Sequence, residues 1–222
     1  MSSSEFKVFD ARIKNSFGML VSGPPYSGKT YFVLQLLRHS DRLIDTKFDN
    51  IVFFYGQYNS AVEKVKSEHP NIVTVVEGIP DNIDDYIAKD KQNLFIFDDL
   101  MQEATSNRTL TSLFYKKCQH QQVSWIMLVQ NIFHYGKERL TFYRCAHYLV
   151  LFYNSLDKSQ IYSIAQKILP GQQKSFIKMY EMSAGSSTHG YLMIYGDVNT
   201  PAEARFRTDI FKPYQRVFVL QK

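Results

Sequence analysis

The chain has 222 residues, of which 45% are hydrophobic and 21% charged, with a formal net charge of +5 and two cysteines. That composition suits a folded globular protein and excludes long disorder, collagen, a coiled coil and a disulfide scaffold. No apolar run approaches the roughly 18 residues of a membrane span, and the polar start MSSSEFKVFD lacks the apolar stretch of a signal peptide. A soluble intracellular protein with no membrane partner is the expectation.

In chain order, short apolar runs alternate with helix-like stretches. Residues 18–22 (GMLVS) read as a strand, 23–28 as a loop and 29–39 as a helix. Further strands are predicted at 51–55 (IVFFY), 72–76 (IVTVV), 94–97 (LFIF), 125–129 (WIMLV) and 148–152 (YLVLF). Helices are predicted at 61–68, 83–88 and 110–120. Continuously apolar strands are those buried on both faces. Their alternation with helices predicts an α/β fold with a mostly parallel central sheet and helices on both faces. Beyond residue 155 the pattern gives two helices, about 159–168 and 172–183, a strand at 191–195, and the run FRTDIF. We read residues 1–13 as an N-terminal segment, 14–211 as one domain with 155–211 packed on it as an extension, and 212–222 as a tail.

The motif GPPYSGKT, Gly23 to Thr30, matches G-x-x-x-x-G-K-[ST], the P-loop of nucleoside triphosphatases. A strand enters it and an apolar helix leaves it, which is the setting that phosphate binding needs. Backbone N–H groups of Gly23, Pro24–Pro25–Tyr26–Ser27 (the prolines excepted) and Gly28 can face phosphate oxygens at the helix N-terminus. Lys29 is placed for the β- and γ-phosphates and Thr30 for Mg²⁺. The cofactors expected are therefore ATP and Mg²⁺.

LFIFDDL places Asp98 and Asp99 at the carboxyl end of a buried strand, where ligands bind in open α/β sheets. Asp98 is predicted to hold the metal and Asp99 to polarise the attacking water. Two strands, near 51–55 and 72–76, separate the P-loop strand from this acidic strand. That is the additional-strand, catalytic-acid type of P-loop NTPase. Past the fifth strand, Gln130 is the candidate γ-phosphate sensor and Asn131 the second choice. Arg139, Arg144 and Arg207 are candidates for an arginine that reaches a neighbouring subunit's site.

Charge is uneven. Residues 1–136 carry 14 Lys+Arg against 15 Asp+Glu, a net of −1, whereas residues 137–222 carry 12 against 6, a net of +6. A basic segment of this kind can face phosphates.

Taken in order, GPPYSGKTYFV, VFFYGQY, FIFDDLMQE, LVQNIFHYGK, HYLVLFYN and RFRTDIF resemble the packaging ATPases of polinton and adintovirus-like elements. These belong to the FtsK–HerA superfamily, which also holds the poxvirus packaging ATPase. The resemblance spans about residues 14–211 and implies an ATP-hydrolysing motor that forms a homo-oligomeric ring and threads double-stranded DNA into a capsid. It implies viral capsid components as partners, and the host nucleus or a viral assembly site as the location. Lys29, Thr30, Asp98, Asp99 and Gln130 fall on the family's motif positions; the chain departs from the pattern at Tyr26 and Leu140. Two other readings are a nucleoside or nucleotide kinase, for which no Arg-rich lid cluster is visible, and an ATP-binding scaffold with little turnover.

Overall fold

The computed structural model describes residues 9–107, 110, 114, 122–133 and 143–220. Among these, a single nine-stranded sheet carries the fold, in the order β3-β2-β4-β5-β1-β6-β7-β8-β9. The strands are β1 (Gly18–Ser22), β2 (Asn50–Tyr55), β3 (Val73–Glu77), β4 (Asn93–Asp98), β5 (Val123–Val129), β6 (Tyr148–Phe152), β7 (Tyr191–Tyr195), β8 (Phe206–Thr208) and β9 (Arg216–Phe218). Strands β1 to β6 pair in parallel, and β7, β8 and β9 add antiparallel strands at one end. The expected mostly parallel α/β sheet is thus observed. The last strand lies within the predicted tail and pairs with β8, with Arg207 opposite Val217.

Every residue of β1, β4, β5, β6 and β7 is buried. Alternate residues supply two cores. Leu20, Phe95, Phe97, Trp125, Met127 and Leu149 point to one face, and Met19, Val21, Leu94, Ile96, Ile126 and Val150 to the other. The second face is covered by α1 (Lys29–Arg38) through Phe32, Val33 and Leu36, and by α3 (Ser60–Glu68) through Val62 and Val65, with the short α2 (Ser40–Leu43) between them. The first face is covered by α4 (Met101–Ser106), α5 (Ser159–Ile168) and α6 (Gln173–Ser183), which bury Met101, Ile161, Ile164, Phe176 and Met179. Strand β3 is one edge of the sheet, and of its residues only Val73 is fully buried.

The helix expected at 83–88 is only a 3₁₀ turn, Ile83–Tyr86. The reason is a buried asparagine. Asn93 Oδ1 accepts from the Ala88 N–H at 2.9 Å, and its Nδ2 donates to the Ala88 carbonyl at 3.0 Å. Both backbone groups of Ala88 are therefore taken by a side chain, and the helix cannot propagate through it. Of the helix expected at 110–120, only Leu110 and Phe114 lie within the described residues; both are buried.

Candidate nucleotide site

Register brings the carboxyl ends of the central strands into line. Tyr55 lies beside Asp98, Asp98 beside Leu128, and Ser22 beside Val129 and Leu151. The loops after β1, β2, β4 and β5 consequently share one rim, the rim where open parallel sheets bind ligands.

The P-loop closes on itself at that rim. Gly28 has φ 104°, a conformation that L side chains rarely adopt, and it begins α1 without a side-chain cap. Helix α1 also has no acidic residue in its first turn. Its N-terminal N–H groups are left for a ligand, and the helix dipole favours an anion there. A Cβ on Gly23 would stand 2.6 Å from Phe152 Cβ and from Ser27 Oγ, so only glycine fits where the strand turns into the loop. Tyr26 adopts φ 62° and projects its side chain fully into solvent, so the bulky ring clashes with no other part of the loop.

Lys29 Nζ donates to the Gly23 carbonyl at 2.8 Å and the Pro24 carbonyl at 2.9 Å. Burial pushes its pKa below the usual lysine value, while Asp98 and Asp99 hold it up. The ammonium is thus kept inside the loop, where phosphate oxygens can replace the two carbonyls. Asp98, 9% exposed, is the last residue of β4. Burial raises its pKa, Lys29 lowers it, Asp99 raises it further, and Asn59 and Thr30 lower it. Thr30 Oγ1 donates to Asp98 Oδ2 at 3.5 Å. A buried carboxylate beside a hydroxyl, with a raised pKa, is stabilised by a hard cation, and two oxygen donors of this kind suit Mg²⁺.

Asp99 stands just beyond the strand, exposed, with φ 57°. Gln130 Nε2 donates to Asp99 Oδ1 at 3.5 Å. The two side chains stand between two cavities. One, of about 250 Å³, is lined by Lys29, Thr30, Asp98, Gln57 and Asn59 as well as by Asp99 and Gln130. The other, of about 340 Å³, adds Met101, Gln102, Glu103 and Asn131.

Asn131 is differently engaged. Its Nδ2 donates to Asp157 at 3.2 Å and its Oδ1 accepts from the Phe133 N–H at 2.8 Å, so it closes a turn at the wall of the second cavity and does not line the one that holds Lys29 and Thr30. Gln57 and Asn59, from the loop after β2, both line the cavity that holds Lys29 and Thr30. Asn59 has a signal of its own: Asn before Ser-Ala-Val-Glu is an N-cap pattern, and its Oδ1 accepts from Ala61 N at 2.9 Å. Gln160 gave no such signal. Buried under the rim, it accepts from Ser22 Oγ at 3.4 Å and from the Ile132 N–H, tying the turn after β5 to the P-loop strand.

The arginines are scattered. Arg139 lies outside the described residues. Arg144, exposed, precedes the amino end of β6 and lines a separate cavity of about 370 Å³ with His147, Leu149 and Arg205, on the rim opposite its own P-loop. Arg207 is 1% exposed and cannot reach a neighbour. Its Nε donates to the Ala204 carbonyl at 2.7 Å, its Nη1 to the Ala11 carbonyl at 2.9 Å, and its guanidinium lies 3.8 Å from the Tyr195 ring centroid. It fastens the N-terminal segment to β7 and β8. Replacing it with alanine leaves a cavity and orphaned carbonyls. Arg207→Ala should therefore cost about 2–4 kcal/mol of unfolding free energy, measured by denaturant titration. A change under about 0.5 kcal/mol would show that the fastening is dispensable.

No curated protein matches this chain. Among solved structures, the genome packaging NTPase B204 from Sulfolobus turreted icosahedral virus 2, in complex with ATP-gammaS, is similar at 13% identity. The match covers 81% of this chain and 92% of that one, with a TM-score of 0.48. The Poxvirus A32 protein family model matches residues 4–211, which takes in the P-loop, both acidic residues, Gln130 and the antiparallel strands β7 and β8. The resemblance read from the motifs is borne out over nearly the same span, and the chain belongs to the Poxvirus A32 protein family.

Proposed function

We propose that this protein is an ATP-hydrolysing motor that packages viral double-stranded DNA into a capsid. The observation that carries the reading is the convergence of Lys29, Thr30, Asp98, Asp99 and Gln130 on one rim, in a chain of the Poxvirus A32 protein family.

The chemistry follows from the placement of charge. The uncapped N–H groups of α1 and the Lys29 ammonium stabilise negative charge on the β- and γ-phosphates. Thr30 and Asp98 would hold Mg²⁺, which neutralises phosphate charge when bound. Asp99, exposed at the cavity wall, accepts a hydrogen bond from a water and orients it in line with the γ-phosphate. Gln130 fixes Asp99 and faces the same phosphate. In a homo-oligomeric ring, Arg144 or Arg139 serves a neighbour's site, since Arg144 stands on the rim remote from its own. Capsid components are the expected partners at a viral assembly site. Among the described residues no helix is long and apolar enough to cross a membrane.

The direct test is Lys29→Ala. Phosphate release from ATP should fall by about 10²–10³-fold, the range for losing one preorganised charge donor. Circular dichroism should show an unchanged fold, because Lys29 packs no core. Wild-type turnover by a folded mutant would remove the P-loop assignment. ATP hydrolysis without any nucleoside acceptor separates the motor from a kinase, and sustained turnover separates it from a scaffold.

A further inference from the structure

The loop before β7 places His189 against the P-loop. His189 Nδ1 lies 3.1 Å from the Ser27 carbonyl oxygen, although 162 residues separate the two in sequence. A carbonyl oxygen only accepts, so Nδ1 carries the hydrogen and donates it. The same ring faces Gly28: a Cβ built there would stand 3.0 Å from His189 Nδ1. The loop reaches this position because Gly190 turns tightly, its N–H donating to the Ser187 carbonyl at 3.0 Å. A Cβ on Gly190 would stand only 2.4 Å from the Ala184 carbonyl.

We infer that His189 is a positioning residue of the phosphate site, holding the Ser27–Gly28 peptide so that the Gly28 N–H faces bound nucleotide. The inference rests on the ATP-binding reading above. In a planar trans peptide, the carbonyl and the following N–H point in opposite directions. Holding the Ser27 oxygen toward His189 therefore turns the Gly28 N–H away from His189. Glycine at 28 makes this necessary. With no Cβ, it adopts either sign of φ, so the peptide can rotate at little cost. A rotated peptide would present a carbonyl oxygen to the phosphates in place of a donor. The His189 hydrogen bond removes that alternative before nucleotide arrives. Residues 184–191 thus contribute to the site and do more than cover the core.

The experiment is titration calorimetry of Mg·ATP on the full chain with His189→Ala, His189→Phe and His189→Asn, alongside steady-state hydrolysis. Alanine and phenylalanine should each weaken ATP binding by about 3- to 10-fold, the loss expected for one hydrogen bond. KM should rise more than kcat changes. Asparagine can place an amide N–H near the position of Nδ1–H, and should restore affinity to within about twofold. Unaltered binding by the alanine variant would overturn the inference. Rescue by phenylalanine would also overturn it, because ring packing would then suffice. A folded wild-type protein that does not bind ATP would overturn this inference together with the P-loop reading. Wild-type binding with an indifferent His189→Ala overturns the inference alone.

Discussion

Affinity for double-stranded DNA should fall by about 10³–10⁵-fold between 50 and 200 mM salt, the span expected for six to ten neutralised phosphates. DNA of any sequence should stimulate the ATPase. A motor that moves along a duplex must pass every sequence, so it grips the phosphate backbone and leaves the base edges unread. The basic excess lies where such a grip can be built, with a net of +6 in residues 137–222. Lys174 and Lys178 are exposed four residues apart on α6, on the same face, and Arg144 is exposed near β6. Lys167 is differently placed, 4.5 Å from the Phe133 ring centroid and 5.1 Å from that of Tyr143. Lys137 and Arg139 lie outside the described residues. A ring offering one or two cations per subunit gives a slope of log K against log salt of roughly −5 to −10, whereas a monomer with one or two contacts gives about −1 to −2. The measurement is DNA affinity and ATPase rate on two unrelated duplexes across that salt range. Absence of stimulation by both, with a flat salt response from a confirmed ring, would sink the DNA-motor reading and leave a P-loop ATPase of other purpose.

Asp99→Asn should keep Mg·ATP binding and lose turnover by about 10²–10⁴-fold, the contribution of a positioned base. Asp98→Asn should weaken Mg²⁺-dependent binding as well. The two side chains differ in burial, and the different expected effects rest on that difference. Asp98 is buried beside Thr30 with a raised pKa, so its charge is best satisfied by a cation. Asp99 is exposed at the junction of two cavities, where a water can reach it. Its φ of 57° turns its side chain out of the strand's alternation, and aspartate tolerates that conformation better than most residues. Asparagine preserves both the shape and the backbone tolerance, so a loss of rate isolates the missing negative charge. Nucleotide binding by titration and phosphate release by steady-state assay give the split. If both variants bind ATP equally and hydrolyse it normally, the acidic pair is only a strand end.

The sequence by itself determined the strands, the P-loop and the acidic pair, because each is a local pattern. An apolar run must be buried, and GPPYSGKT between a strand and a helix has few other uses. It also placed Asp98 and Asp99 at a strand's carboxyl end, since four apolar residues before two acids leave no other register. Tertiary structure decided which distant side chains join them. Asn93 stopped a helix that propensity favoured by bonding both backbone groups of Ala88. Arg207 read as a candidate for an arginine reaching a neighbouring subunit, and only the pairing of β8 with β7 and the overlying N-terminal segment buried it. Gln130 and Asn131 are neighbours of similar chemistry, and the partner each finds, Asp99 or Asp157, comes from another loop. His189 had no signal at all. It meets Ser27 because β7 runs antiparallel beside β6 and returns its amino end to the P-loop rim. Contacts of that kind are set by strand order and direction, which no local window of sequence contains.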